Sequence, residues 1–270
     1  MAYGQKRPCI GGGALRGMDL LRTAIAGRVA RNHHAFVVHE IGTAIVKGEY
    51  PEGSLLPGDA ELAERFNVSR TVLREAMKTL SAKGLVFARA RIGTRVTDRA
   101  QWNLFDADVL TWHFEAGVTQ DFLRHLSEMR LSFEPFAAQL AIQNSGPEEF
   151  AQLYAFTDKM AAASSKEEFA LADLEFHKAL LNASKNPFMH SVGNLIEAAL
   201  VSAFKLSSPV EGPSQRDSAE QHRAIVEALE AGDADAAAEA MQIVIIVGRD
   251  RVSGRIGKTR SEAGVPNYIR

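Results

Sequence analysis

The most definite chemistry in this sequence lies in polar residues that helical spacing turns inward. Asp173 and His177 stand four residues apart in a stretch where Phe169, Phe176 and Leu180 share their face, and His222 travels with Ile225, Val226 and Leu229. One carboxylate and two imidazoles aimed into an apolar interior form a donor set suited to a borderline divalent metal. Arg130, on the side of Leu126, Phe133 and Ala137, can fork onto a carboxylate ligand. Plainer roles are open to each: Asp173 with His177 as a hydrogen-bonded core pair, His222 as a satisfied core histidine, Arg130 as the partner of Glu134. Buried polar groups left without partners are costly, so groups converging on one interior must pair with one another or with a ligand.

A second chemistry is carried by cations. From Arg65 to Arg99 there are nine Lys or Arg against two acids, a net +7 within a chain whose formal total is −2. Charge gathered this sharply is the footprint of a phosphate-binding face. The elements that must present it can be read from the pattern. Leu62, Ala63 and Phe66 fall at helical spacing; Asn67-Val68-Ser69 breaks the period, with Ser69 placed to cap a second helix from Arg70 to about Ser81. Val72, Leu73, Ala76, Met77 and Leu80 form the apolar side of that helix, which leaves Arg70, Thr71, Arg74, Glu75 and Lys78 outward. After Gly84 the period shortens. Leu85 to Arg89 and Thr94 to Thr97 predict a hairpin turning at Arg91-Ile92-Gly93, with Gly93 supplying a positive φ. A helix, a turn, a cationic helix and a basic hairpin in this order predict a winged helix-turn-helix that binds duplex DNA.

The remaining length predicts a second unit. At 270 residues the chain can hold two cores, and one cysteine, Cys9, excludes an internal disulfide and suits the cytoplasm. The longest apolar run, Ile243 to Val247, is too short to span a bilayer, and the Lys6-Arg7 start leads into Pro8 and glycines rather than a secretory core. Residues 1–31 lack a lasting helical stripe and are expected to be a flexible leader, as are residues 253–270 at the other end. His33-His34 reads as solvated. His39-Glu40 lacks the second histidine that a zinc-protease helix needs at Thr43, and Gly11-Gly12-Gly13 lacks the continuation of a phosphate loop.

Phe36, Val37, Ile41, Ala44 and Ile45 predict a helix packed behind the DNA reader, so that reader is expected over 32–99, followed by a linker helix over 100–117. From Asp106 to Val247 no strand-like alternation occurs. Caps and breakers at Ser145-Gly146-Pro147-Glu148, Ser165 to Glu168, Asn186-Pro187, Ser208 to Pro213 and Gly232-Asp233 predict six or seven helices in an antiparallel bundle over 118–252. With nine cations against twenty-two acids between Asp106 and Val247, a net −13, this part repels DNA and must serve another purpose. The fold class is mostly α: a winged helix-turn-helix followed by an all-α bundle.

The string Gly53-Ser54-Leu55-Leu56-Pro57, Glu61-Leu62-Ala63, Val68 to Ala76, Gly84-Leu85-Val86 and Gly93-Thr94-Arg95-Val96 resembles the signature of the GntR family of bacterial transcription regulators. That resemblance implies operator contacts from Ser69, Arg70, Thr71, Arg74 and Lys78, and from a wing at Arg91 and Gly93. Two departures stand out: Ala60 where the family often has Arg, and Arg91 where it often has Gly. The junction from Gln101 to Trp112 resembles that of repressors of galactonate catabolism in the FadR-like branch. Arg130 to Glu134, Asp173 to His177 and Glu220 to Ile225 are similar to that branch's helical FCD effector domain, which implies effector binding by Arg130, Glu134, Asp173, His177 and His222. Many of its members hold a metal with one Asp and three His. Here Asp173, His177 and His222 match, and Val244 stands where the third His is expected, leaving three ligands for a divalent ion such as Zn, Ni or Mn. The resemblance thus implies a homodimeric repressor released from operator DNA by a small sugar acid such as galactonate. The alternative from another class is a metal-dependent enzyme targeted to DNA by its winged domain, although no separate general base or nucleophile motif is present.

Overall fold

The structure, a computed structural model, describes residues 32–117, 119–193, 197 and 213–262. The expected leader over 1–31, the last residues of the expected tail and the joint from Ser208 to 212 lie outside the described residues.

The first part builds one core from three helices and a hairpin. Helix α1 (His33–Val46) starts at Asn32, whose side chain accepts from the Ala35 amide. It buries Val37, Val38, Ile41, Ile45 and Val46; Phe36, expected on that face, stays partly exposed and meets Phe66 edge to ring instead. The core face is set by two neighbours, since α1 packs against both α3 and α4. His34 is not a bare surface group: its Nε2 lies 3.0 Å from Thr79 Oγ1.

Helix α2 (Asp59–Arg65) and helix α3 (Arg70–Ala82) enclose a turn in which Asn67 takes φ 51° and Ser69 caps α3 by accepting from the Val72 amide. Leu62, Leu73, Ala76 and Leu80 close the space between them. α3 ends at Gly84, where φ is +82° and an added Cβ would sit 2.1 Å from the Gln101 carbonyl oxygen, so both the backbone conformation and the close approach require glycine. Strands β1 (Val86–Arg89) and β2 (Gly93–Val96) pair antiparallel with Val86 opposite Val96 and Arg89 opposite Gly93. Leu55 bridges Arg95, laying the preceding loop along the outer edge of the wing.

A 3₁₀ turn (Arg99–Gln101) leads to helix α4 (Ala107–Glu115). The expected linker helix over 100–117 is therefore shorter, because Asp106 caps α4 by accepting from the Asp108 and Val109 amides and fixes where it starts. Lys83, at the end of α3, reaches Asp106 at 2.7 Å and Asp108 at 3.0 Å. Trp112 is seated on Gly42 of α1, and its Nε1 lies 3.2 Å from His39 Nδ1.

The second part is helical throughout its described residues. Helices α5 (Gln120–Asn144), α6 (Pro147–Ala162) and α7 (Lys166–Ala183) follow one another through short turns. Residues 187–193 are helical, and helices α8 (Pro213–Ala231) and α9 (Ala234–Glu262) complete the described chain. α5 packs on α9 and α7, and α8 packs on α9 and α6. Buried Leu153, Met160, Phe169, Phe176, Ile225, Leu229 and Met241 supply the shared core. α6 is capped one residue later than expected: Glu149 accepts from the Gly146 amide, while the Ser145 hydroxyl is drawn away to the Ala183 carbonyl. α9 runs on to Glu262, into the tail expected from 253.

Candidate functional site

α5, α7 and α8 each bring polar side chains to one buried spot. The 3.6-residue period that aligns Leu126 and Ala137 inward also turns Arg130 and Glu134 inward on α5, just before Pro135, a buried proline inside the helix. On α7 the same period places Asp173 and His177 one turn apart. His222 comes from α8, its ring edge-on to Phe176 at 5.0 Å and to His177 at 5.4 Å.

These five residues form a continuous chain in which basic side chains alternate with carboxylates. Arg130 forks onto Glu134, with Nε to Oε1 at 2.6 Å and Nη2 to Oε2 at 3.2 Å. Glu134 Oε2 lies 2.7 Å from His177 Nδ1, and His177 Nε2 lies 3.2 Å from Asp173 Oδ1. Asp173 Oδ1 is in turn 2.9 Å from His222 Nε2. Burial alone raises the Glu134 carboxyl pKa, but Arg130 and His177 outweigh it and bring it down to about 2. Asp173, also opposed by burial, is held well below the usual carboxylate range by His222 and His177. Burial pushes the His177 imidazole down; Glu134 and Asp173 overcome that, with Arg130 opposing, and the net shift is upward.

The last link tests whether a metal fits. His222 Nδ1 lies 2.7 Å from the Ser218 carbonyl oxygen, which can only accept, so Nδ1 carries the proton. That leaves Nε2 facing the Asp173 carboxylate. Although these atoms are 2.9 Å apart, their alignment is not that of a hydrogen bond, and Asp173 Oδ1 and His222 Nε2 are both buried without a hydrogen-bond partner among the described residues. Two such donors to a cation, with a His177 nitrogen, lie within 4.8 Å of one another. The donor set fits a divalent ion, with one oxygen and two nitrogens leaving coordination positions for other ligands. Val244 lies buried in the apolar core of α9, so it adds no donor.

Sequence reasoning missed two groups beside this cluster. Arg251 of α9 donates from Nη1 to Ser218 Oγ at 3.2 Å, one residue away from the chain of charges, and Ser218 itself fixes the His222 tautomer. Arg251 arrives through helix packing and leaves no local mark in the sequence, whereas Ser218 stands one turn before His222 on α8 and was readable from that spacing.

The cations of the expected recognition helix face solvent. Arg70 and Thr71 are exposed at the amino end of α3, directly after the capping Ser69, and Arg74 and Lys78 continue the same face. Arg74 Nε stands 3.9 Å from Asp59, and Lys78 is paired with Glu75 at 2.8 Å. Both pairs are open to water, so they cost little to exchange for phosphate contacts. The wing tip contains two left-handed residues rather than one: Arg91 at φ 63° as well as Gly93 at φ 118°. Arg89 lies over the Phe87 ring at 5.3 Å.

Residues 34–96 match the family described as bacterial regulatory proteins, gntR family, and residues 125–245 match the FCD domain. The uncharacterised HTH-type transcriptional regulator YieP of Escherichia coli K12 is 36% identical over 220 residues, covering 80% of this chain and 94% of that protein. The galactonate operon transcriptional repressor of the same organism is 31% identical over 210 residues, covering 77% of this chain and 92% of that one. A solved structure described as Lar, which controls the expression of the Listeria monocytogenes agr system, superposes with a TM-score of 0.58 at 21% identity, covering 83% of this chain and 98% of that chain. At that identity the likeness is one of fold alone. These relatives are regulators, not enzymes, and the alternative of a metal-dependent enzyme is set aside on that ground.

Proposed function

Because this chain belongs to the GntR family of bacterial regulatory proteins and carries an FCD domain, it is a transcriptional repressor of that type, and we propose that it acts as a cytoplasmic homodimer sensing a small sugar acid. We assign residues 32–99 to DNA binding, 100–117 to the connection, and 118–252 to effector binding and dimerisation.

The observation that carries the sensing role is the buried, charge-alternating cluster of Arg130, Glu134, Asp173, His177 and His222 in a bundle whose net charge repels DNA. Its orphaned Asp173 Oδ1 and His222 Nε2 support a divalent ion held by Asp173, His177 and His222. When bound, such an ion supplies positive charge and open coordination positions for carboxylate and hydroxyl oxygens. The Arg130 fork is engaged by Glu134, so an effector carboxylate that meets Arg130 shares or displaces that pairing. Galactonate or a near relative is the effector we favour, from the named role of the E. coli relative.

Ser69, Arg70, Thr71, Arg74 and Lys78 on α3 and Arg91 and Gly93 on the wing are the proposed operator contacts. Two readers related by a two-fold axis require a palindromic site. Release follows if the effector-filled bundle favours a spacing of readers that mismatches the half-sites; an effector equally at home in both states shifts nothing.

Selection of operator DNA by the purified protein, with and without a panel of aldonic and uronic acids, tests this reading. The expected result is a two-fold symmetric site whose recovery falls with one acid, and a loss of about 1 to 3 kcal/mol in operator affinity for Arg74→Ala if Arg74 reads a base edge. Recovery of random DNA, or a site indifferent to every acid, would overturn it.

A further inference from the structure

The covalent crossing from reader to bundle is covered by a stack of three rings. His113, in the last turn of α4, lies nearly parallel to Phe122 of α5, with ring centroids 4.9 Å apart and an interplanar angle of 20°. Its other neighbour is Trp102, tilted at 47° with centroids 5.8 Å apart. Each outer ring is tied to its own unit. Trp102 donates from Nε1 to Thr97 Oγ1 at 3.1 Å, and the Thr97 hydroxyl donates to the Gly84 carbonyl, where α3 ends. Phe122 meets Phe114 edge-on and packs with Leu110 and Leu126, two turns below the Arg130 cluster on the same helix.

The middle ring is the weak member. Among the described residues His113 Nε2 is buried without a hydrogen-bond partner, so that edge of the imidazole packs as an apolar plate. A neutral ring tolerates that position better than an imidazolium, because no group among the described residues accepts a proton on Nε2 and the ring is partly withdrawn from water. The charged group facing it from the 3₁₀ turn is Arg99, whose guanidinium lies over Trp102 at 5.6 Å and disfavours a second cation. From α5 the ring meets neutral Phe122, while Asp121 and Arg124 of the same turn are paired with each other at the surface. Burial, with Arg99 adding to it, brings the His113 pKa down to about 4.

We propose that the Trp102, His113 and Phe122 stack is a charge-sensitive joint that holds the reader and the bundle in one fixed relation. Closed, it makes the end of the recognition helix answerable to the start of α5. A positive charge on the middle ring opens it and lets the two units move independently, with each core intact. The joint stands apart from the effector reading and needs neither metal nor ligand to be tested.

The chain has two tryptophans, so Trp112→Phe leaves Trp102 as a reporter in the full-length protein. In that background, acrylamide quenching of Trp102 is expected to rise about threefold in His113→Lys near neutral pH, and to stay at the parent level in His113→Phe and His113→Gln. Acid titration of the parent is expected to give a quenching step centred at about pH 4 that His113→Phe lacks, with the far-UV helix signal retained. Equal quenching in the Lys and Phe variants overturns the joint, as does an acid step that His113→Phe retains. Loss of the helix signal in His113→Lys also overturns it, because the charge then acts on the whole fold rather than on the crossing. Operator selection does not enter either readout, so a failed joint and a failed repressor are told apart.

Discussion

Glu134 Oε2 and His177 Nδ1 meet 2.7 Å apart across α5 and α7, each closed from solvent, and this contact joins an arginine fork on one side to the metal-suited donors on the other. Removing the carboxylate leaves the Arg130 guanidinium buried without its forked partner. Glu134→Ala is therefore expected to cost about 3 to 5 kcal/mol in urea unfolding at neutral pH. The pH profile gives a second check. Glu134 has its pKa lowered from 4.5 to about 2, so its stabilisation is present above 4.5 and fades as the pH falls through that range. His177 is shifted upward, so its share is complete below its ordinary value and fades as the pH rises through the folded one. The gap between wild type and variant should narrow at both ends.

Metal binding should depend on the three donors and release a proton. Titration calorimetry with zinc or nickel is expected to show one site per chain, lost in Asp173→Asn and in His222→Ala. Because His177 is biased toward its protonated form, the heat should vary with the buffer's ionisation enthalpy. Val244→His adds an imidazole where the related domains have one, and is expected to tighten binding by about tenfold or more through a fourth ligand. A wild-type protein that binds no ion under these conditions sinks the donor assignment.

Gly42 and Trp112 make a close seat between α1 and α4. A Cβ at residue 42 would lie 2.5 Å from the Trp112 ring, inside a helix where neither neighbour can step aside. Gly42→Ala should cost about 1 to 3 kcal/mol by overpacking. It should also move the Trp112 emission to the red, whereas a melting temperature and spectrum like those of the wild type would show that the helix yields freely.

Arg91 sits at the wing tip in a conformation that non-glycine residues seldom take. If it touches phosphate, Arg91→Ala should weaken every operator sequence evenly and reduce the slope of log affinity against log salt by about 1. Arg91→Gly should lose the same charge contact while relieving the backbone, so a gain in thermal stability with that same reduced slope is expected. An unchanged slope in both variants removes Arg91 from the interface.

Much of this was legible locally. Ser69 caps α3 where the broken period placed a cap, the hairpin turns at Ala90 to Ile92, one residue before the expected Arg91 to Gly93, and Asp173, His177 and His222 are buried on the faces their spacing assigned. Each depends on neighbours within one or two turns, which a sequence displays directly.

What a residue meets across the fold was decided elsewhere. The sequence by itself determined that polar groups on α5, α7 and α8 point inward and offered the pair of Arg130 with Glu134 within one helix; only the tertiary structure decided that Glu134 meets His177, that Asp173 faces His222, and that Arg251 comes to lie beside Ser218. The same holds for Trp112 on Gly42 and His113 on Phe122. Periodicity fixes the direction of a side chain about its own helix axis, but partners on different helices depend on the rotation and depth at which those helices pack, and these are set by the whole core together.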